Sequence, residues 1–204
     1  MNLDDVMVLF DWNGTVVIDG DRARDALNGV LLRRGLDELT VPQFATRFRL
    51  PMGEMFAELG VDAGSLLVAE SEWNAHMASE TTRLRAGALT AFAALHGSGA
   101  WLGVVSAASA EAVDFDRATL AVPNVFGSVE APVVDKVAAL DAHRHRRSRA
   151  FYVGDTAYDM RSALAAGYVP VGVAGGYAPV DVLHEAGAAY VIEDLGELLR
   201  IAAG

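Results

Sequence analysis

The stretch Val6-Met7-Val8-Leu9-Phe10, followed at once by Asp11-Trp12-Asn13-Gly14-Thr15, decides the fold. Its apolar run is short, β-branched and aromatic, and it stops at a carboxylate and a glycine. A parallel strand buried on both faces reads this way when it delivers an acid to the carboxyl edge of a sheet. Open α/β sheets bind ligands at that edge, where strand order reverses. Taken alone, the same residues also suit an ordinary strand-to-loop turn. The pattern recurs, however. Trp101–Val105 ends at Ser106, and Ala150–Val153 ends at Gly154-Asp155-Thr156, with Asp159 following. Three apolar runs ending in polar groups, separated by helical stretches, place those groups together at one edge of one sheet.

Working outward, the run Val16-Val17-Ile18 leads into a turn at Asp19-Gly20-Asp21. Helical spacing then predicts helices over about 22–35, 41–49, 52–59 and 64–80, punctuated by Pro42, Pro51 and Gly60. This block shows no strand. An all-helical segment interrupting an alternating pattern reads as an inserted lid. The expected organisation is therefore an α/β, Rossmann-like parallel-sheet core over residues 1–17 and 84–204, with an α-helical cap domain over 18–83. From Arg85 the alternation returns. Helices are expected at 88–96, 109–120, 136–146, 157–166, 180–186 and 194–202, and strands at 101–105, near 125–129, and at 150–153, 169–173 and 189–192.

Composition narrows the function. At 204 residues the chain allows one sizeable domain, or a core with a small insertion. It has no cysteine, so disulfides, thiolate metal sites and cysteine nucleophiles are excluded. Its net charge of −11 argues against nucleic acid as a partner. The basic run His143–Arg149 reads as a solvated helix end. No apolar stretch reaches the roughly 18 residues a membrane span needs, and the opening Met1-Asn2-Leu3-Asp4-Asp5 is acidic where a signal peptide would be basic. A cytoplasmic protein is expected, and the Arg, Ala and Gly bias suggests a bacterial source. Lys136 is the only lysine in a chain that otherwise uses arginine, which singles it out.

Asp11-x-x-Gly14-Thr15 after the first strand, Ser106 after a second, Lys136 opening a later helix, and Gly154-Asp155-Thr156-x-x-Asp159 together resemble the motifs of the haloacid dehalogenase superfamily. Within it they are most similar to the phosphoglycolate-phosphatase-like branch, which carries a small helical cap. The resemblance implies a phosphatase in which Asp11 attacks phosphorus and forms an aspartyl phosphate. It also implies Mg²⁺ held by Asp11, the main-chain carbonyl of Asn13, Asp155 and Asp159, the last directly or through water. Hard oxygen ligands of this kind suit that ion. Ser106 would donate to a phosphoryl oxygen, helped by backbone N–H groups, and Lys136 would neutralise Asp11 and the phosphoryl group. Gly14, Thr15 and Ala107 complete the expected phosphate surroundings. Arg49, with Arg47, is a candidate for reaching an anionic substrate from the cap. The expected partner is a small phosphorylated metabolite, bound by a monomer or homodimer.

Each of these residues also has a plainer reading. Ser106 is a good helix N-cap, Asp155 and Asp159 suit a turn and a first helical turn, and the two arginines suit an exposed helix. The chain also departs from the family. Phosphatases of this type carry an Asp two residues after the nucleophile as general acid and base, and here that residue is Asn13. An amide cannot do that work, a loss typically worth about 10²–10⁴-fold. Four readings follow: a slow phosphatase for good leaving groups, an acid supplied by the cap, a phosphate-binding or regulatory relative, or an introduced substitution. The phosphonate-cleaving branch needs a cap lysine and is excluded. A dehalogenase does not need the acids at 155 and 159 and is disfavoured. Ala107 and Val137 replace the usual Asn and Pro of their motifs, which bears on substrate contacts.

Overall fold

A computed structural model describes residues 2–204; Met1 lies outside the described residues. The centre is a six-stranded sheet in the order β5-β4-β1-β6-β7-β8. Its strands are β1 (Val6–Phe10), β4 (Trp101–Val105), β5 (Phe126–Glu130), β6 (Arg149–Gly154), β7 (Val169–Val173) and β8 (Tyr190–Ile192), all pairing in parallel. The chain steps outward from β1 through β4 to β5, then returns across to β6. The reversal therefore falls beside β1, and its carboxyl edge is where Asp11 and Asp155 emerge. This is the crevice such sheets use for ligands.

β1 is an unbroken apolar run because both its faces are covered. Val6, Val8 and Phe10 join a core with Phe92 and Val104, while Met7 and Leu9 join another with Leu140, Tyr152 and Ala163. Phe10 meets Phe92 edge-on at 5.3 Å between ring centres, the arrangement the ring quadrupoles favour. The helices covering these faces are α5 (Ala88–Gly97), α6 (Ala110–Thr119), α7 (Lys136–His143), α8 (Ala157–Ala165), α9 (Val180–Glu185) and α10 (Leu198–Ala203). Among the described residues no helix is long and apolar enough to cross a membrane.

Four helices interrupt this layer: α1 (Gly20–Leu32), α2 (Val41–Arg47), α3 (Met52–Glu58) and α4 (Leu66–Met77). They enclose a separate apolar cluster that includes Leu27, Leu31, Phe44, Phe56, Trp73 and Met77. The sequence reading of a strandless stretch from Ile18 to Arg83 needs correction. β2 (Val17–Ile18) and β3 (Arg83–Leu84) pair antiparallel as the root of the helical block. Two residues are too few to display a period of two, so this pairing comes from the insert's ends meeting, not from local pattern.

Other boundaries shift for identifiable reasons. α1 begins at Gly20 and ends at Leu32, and Gly35, at φ +69°, lies beyond its end. The expected helices 136–146 and 194–202 each contain a 3₁₀ turn, at Arg144–Arg146 and Leu195–Glu197. The 3₁₀ turn Ala63–Ser65 likewise precedes α4, which stops at Met77.

One buried polar network joins the helical block to the sheet layer. Arg22 of α1 grips Asp116 of α6 through two bonds of 2.6 and 2.9 Å, and also donates to the carbonyls of Met77 and Glu80. The Trp12 indole N–H donates to the same Asp116 at 3.0 Å. Asp19 lies 3.5 Å from Arg22 and accepts from the backbone N–H of Gly14 at 2.8 Å. Both terminal nitrogens of Arg22 are engaged, which fixes the geometry of this buried pair, and losing one member leaves a charge stranded.

Burial pushes the Asp19 carboxyl up to about 6, against the pull of Arg22 and the Gly14 N–H. Since the folded value lies above the unfolded 3.8, the folded chain holds an extra proton between these values. Stability from this group is full at low pH and declines as pH rises through 6, by about 3 kcal/mol. Asp19→Asn should therefore gain stability relative to wild type between pH 4 and pH 7.5, read by urea unfolding at both. An unchanged difference would show that Arg22 fully compensates the buried charge.

Candidate active site

Asp11 is delivered by the end of β1, where its N–H bonds the Val153 carbonyl of β6 at 2.8 Å. Lys136, the first residue of α7, turns back into the core and is only 2% exposed. Its ammonium lies 3.1 Å from Asp11 Oδ2 and 2.6 Å from Asp159 Oδ1, with the rings of Tyr152 and Tyr158 each 5.8 Å away. Asp11, Asp155 and Asp159 are all buried, and each offers an oxygen within 4.8 Å of the others.

The three carboxylates are held differently. Thr156 caps α8 and Asp159 completes the reciprocal pair. Asp159 Oδ2 accepts from the Thr156 N–H at 3.0 Å and its hydroxyl at 2.5 Å, while Oδ1 takes the Lys136 ammonium and the Tyr152 hydroxyl. Both its oxygens are thus engaged, and the plainer reading of Asp159 as a first-turn acid holds beside the pairing with Lys136. Asp155 does no capping. Its Oδ1 accepts from the Thr15 hydroxyl at 2.9 Å and its Oδ2 from the Tyr177 N–H at 2.6 Å. A Cβ on Gly14 would strike Asp155 and Tyr177, and Gly14 sits at φ +71°. Only glycine fits there on both counts. Asp11 Oδ1 and the side-chain oxygen of Asn13 are buried without a hydrogen-bond partner among the described residues.

Electrostatics follow from this crowding. Burial, then Asp159 and Asp11, push the Asp155 carboxyl well above the usual range. Burial also raises Asp11, although Lys136 and the Ser106 hydroxyl pull it back. Burial alone would depress Lys136, but Asp11 and Asp159 hold its ammonium protonated. Three carboxylates face one ammonium, so the cluster has room for a further positive charge.

Ser106 follows β4 and its N–H bonds the Glu130 carbonyl at 3.0 Å. The helix-capping role belongs instead to Ser109, which accepts from the Ala112 N–H, while Ser106 Oγ accepts from the N–H of Ala108. Ser106 therefore stays in the loop beside Asp11, with the half-buried Ala107 next to it. Thr15 is brought against Asp155. Arg49 is not brought to the cluster: it is exposed, pairs with Glu58 and donates to the Arg47 carbonyl. These contacts fit the exposed-arginine reading.

Sequence reasoning missed Tyr152, Tyr177 and Arg85. Tyr177 follows the Gly175-Gly176 loop that the sequence does mark, but its part is played by a backbone N–H, which no side-chain pattern reveals. Tyr152 reads as a core aromatic, and its hydroxyl reaches both the Val105 carbonyl and Asp159.

Fold and site together define a capped α/β hydrolase of the carboxylate-cluster type. The chain belongs to the haloacid dehalogenase-like hydrolases, whose family model matches residues 8–173. Solved structures share the fold over almost the whole chain. A predicted phosphatase from Clostridium acetobutylicum superposes with a TM-score of 0.83 at 18% identity, covering 99% of each chain. A predicted phosphoglycolate phosphatase from Haemophilus somnus 129pt gives 0.82 at 17%, covering 98% of this chain and 99% of its own. A haloacid dehalogenase-like family hydrolase from Streptococcus pneumoniae gives 0.81 at 18%, over 98% and 99%. No protein of curated function matches the chain in sequence.

Removing Lys136 should strand the carboxylates it joins. Lys136→Met is expected to lower unfolding free energy by about 3–5 kcal/mol at pH 7.5. The deficit should shrink at pH 5, because Asp11 and Asp155, both raised, take up protons and relieve the repulsion. Urea titrations at the two pH values check this, and a deficit that grows on acidification would contradict the charge assignment.

Proposed function

We propose that this chain is a Mg²⁺-dependent phosphatase for a small phosphomonoester, working through Asp11. The observation that carries the reading is the buried cluster itself: three carboxylates within 4.8 Å, with one oxygen of the nucleophile unpartnered. The names of the structural neighbours support phosphate-ester chemistry.

The donor set suits a divalent ion, being all oxygen, buried and short of positive charge. Asp11, Asp155 and the main-chain carbonyl of Asn13 would hold it, with Asp159, whose two oxygens are both already engaged, acting through water. Bound there, the ion would supply the positive charge that lets a carboxylate approach a phosphate dianion.

The residues of the chain do the rest. Lys136 and Ser106 hold the phosphoryl oxygens beside Asp11. An oxygen of Asp11 bonds to phosphorus as the bond to the ester oxygen breaks, and the departing oxygen takes a proton from solvent. Water then attacks the same phosphorus, releasing phosphate and restoring Asp11. At position 13 an amide stands where proton transfer is needed, so both half-reactions lose assistance. Departure of a stable leaving group suffers least.

A second reading, a phosphate-binding regulatory protein, is favoured by that same Asn13. The two separate cleanly in experiment. The phosphatase reading expects an early burst with an aryl phosphate in Mg²⁺, a trappable phosphoenzyme, slow alkyl-ester hydrolysis and no turnover in excess chelator. Asp11→Asn should remove the burst. Asn13→Asp should raise alkyl-ester turnover by about 10²-fold or more. Binding of phosphate without any hydrolysis of either ester class would select the regulatory protein, and full turnover of a haloacid in chelator would select a dehalogenase.

A further inference from the structure

Arg85 is buried, at 6% exposure, and pairs with no carboxylate among the described residues. Its guanidinium donates to three main-chain carbonyls instead: Nε to Thr15 at 2.8 Å, Nη1 to Ala174 at 2.8 Å, and Nη2 to Gly14. Asp155 and Asp19 are near enough to favour its charge, yet neither accepts a hydrogen bond from it. A buried guanidinium is costly to desolvate, so its placement over three carbonyls is informative.

Those carbonyls belong to the loops after β1 and β7, the two walls that cradle Asp155. One wall supplies the Thr15 hydroxyl to Oδ1, and the other supplies the Tyr177 N–H to Oδ2. The cradle has no slack, since a Cβ on Gly14 or on Gly176 would run into the Asp155 side chain. Gly14 also follows Asn13, whose carbonyl faces the same cluster in the reading above. A planar fork holds its donors in fixed directions across such walls, whereas the three donors of an ammonium rotate on a flexible stem and fix the walls less firmly. Arg85 sits directly after β3, and its own N–H bonds the Val16 carbonyl at 2.9 Å. The brace is therefore mounted on the root of the helical block.

We infer that Arg85 is a positioning residue for cation binding: by tying Gly14 and Thr15 to Ala174 it holds Asp155 and the Asn13 main chain in the geometry that receives a divalent ion. The inference rests on the proposal that this cluster holds such an ion. Charge alone makes the opposite forecast, because deleting a nearby positive charge should tighten cation binding. The sign of the change therefore separates brace from charge.

The test is isothermal titration of the metal-free full chain with Mg²⁺, repeated with Mn²⁺ and paramagnetic resonance detection. Arg85→Met should weaken binding about 10- to 100-fold, the range typical when a ligand's supporting partner is lost. Arg85→Lys keeps the charge but not the fork, and should weaken it in the same direction. In thermal melts the rise produced by saturating wild-type Mg²⁺ levels should shrink in both variants. A merely structural role would lower melting equally with and without the ion. If Arg85→Met does not fold, Arg85→Lys decides. A wild-type chain that binds neither ion overturns the metal reading and this inference with it. A wild type that binds, with a folded variant binding equally or more tightly, overturns the role of Arg85 alone.

Discussion

The Lys136 ammonium between Asp11 and Asp159 is the contact on which the site depends. It joins the end of β1 to the start of α8 through the start of α7, so three elements must arrive in register before it can form. Each arrival has a local cause. β1 is placed by apolar cover on both faces, α7 is started by Asp135, which caps it, and α8 by the reciprocal pair of Thr156 and Asp159. Burying one cation among several acids is unfavourable for the folded chain by itself. It is what leaves a site short of positive charge at the crevice of the sheet.

The architecture was legible because it rests on composition and period. The runs 6–10, 101–105 and 169–173 are strands at those bounds, since a strand buried on both faces must be apolar throughout. The cluster was legible because acids at strand ends are costly unless used. Asp11, Asp155, Asp159 and Lys136 do converge.

What stayed hidden has a common origin. Arg22 and Asp116 look like surface residues of amphipathic helices and Asp19 like a turn residue, and only a tertiary contact 94 residues apart pairs Arg22 with Asp116. Arg85 acts on backbone carbonyls and Tyr177 through its own N–H, so neither partner carries a side-chain signature. Arg49 is an exposed cation near a helix break, and in the structure it pairs with Glu58.

The paired root of the helical block has a consequence for how such proteins diversify. Val17 faces Leu84 and Ile18 faces Arg83, so the insert leaves and re-enters the sheet layer at neighbouring points. Topologically it is one long loop, and the entropy of closing a loop grows only slowly with its length. An insert of another size or fold could occupy the same junction with little effect on the sheet. Charge sets the limit on such exchange. Asp116 belongs to the sheet layer, is fully buried, and is neutralised by an arginine that belongs to the insert. Any replacement must bring a cation to that spot, or the sheet layer must give up its acid. Grafting is geometrically open and electrostatically keyed.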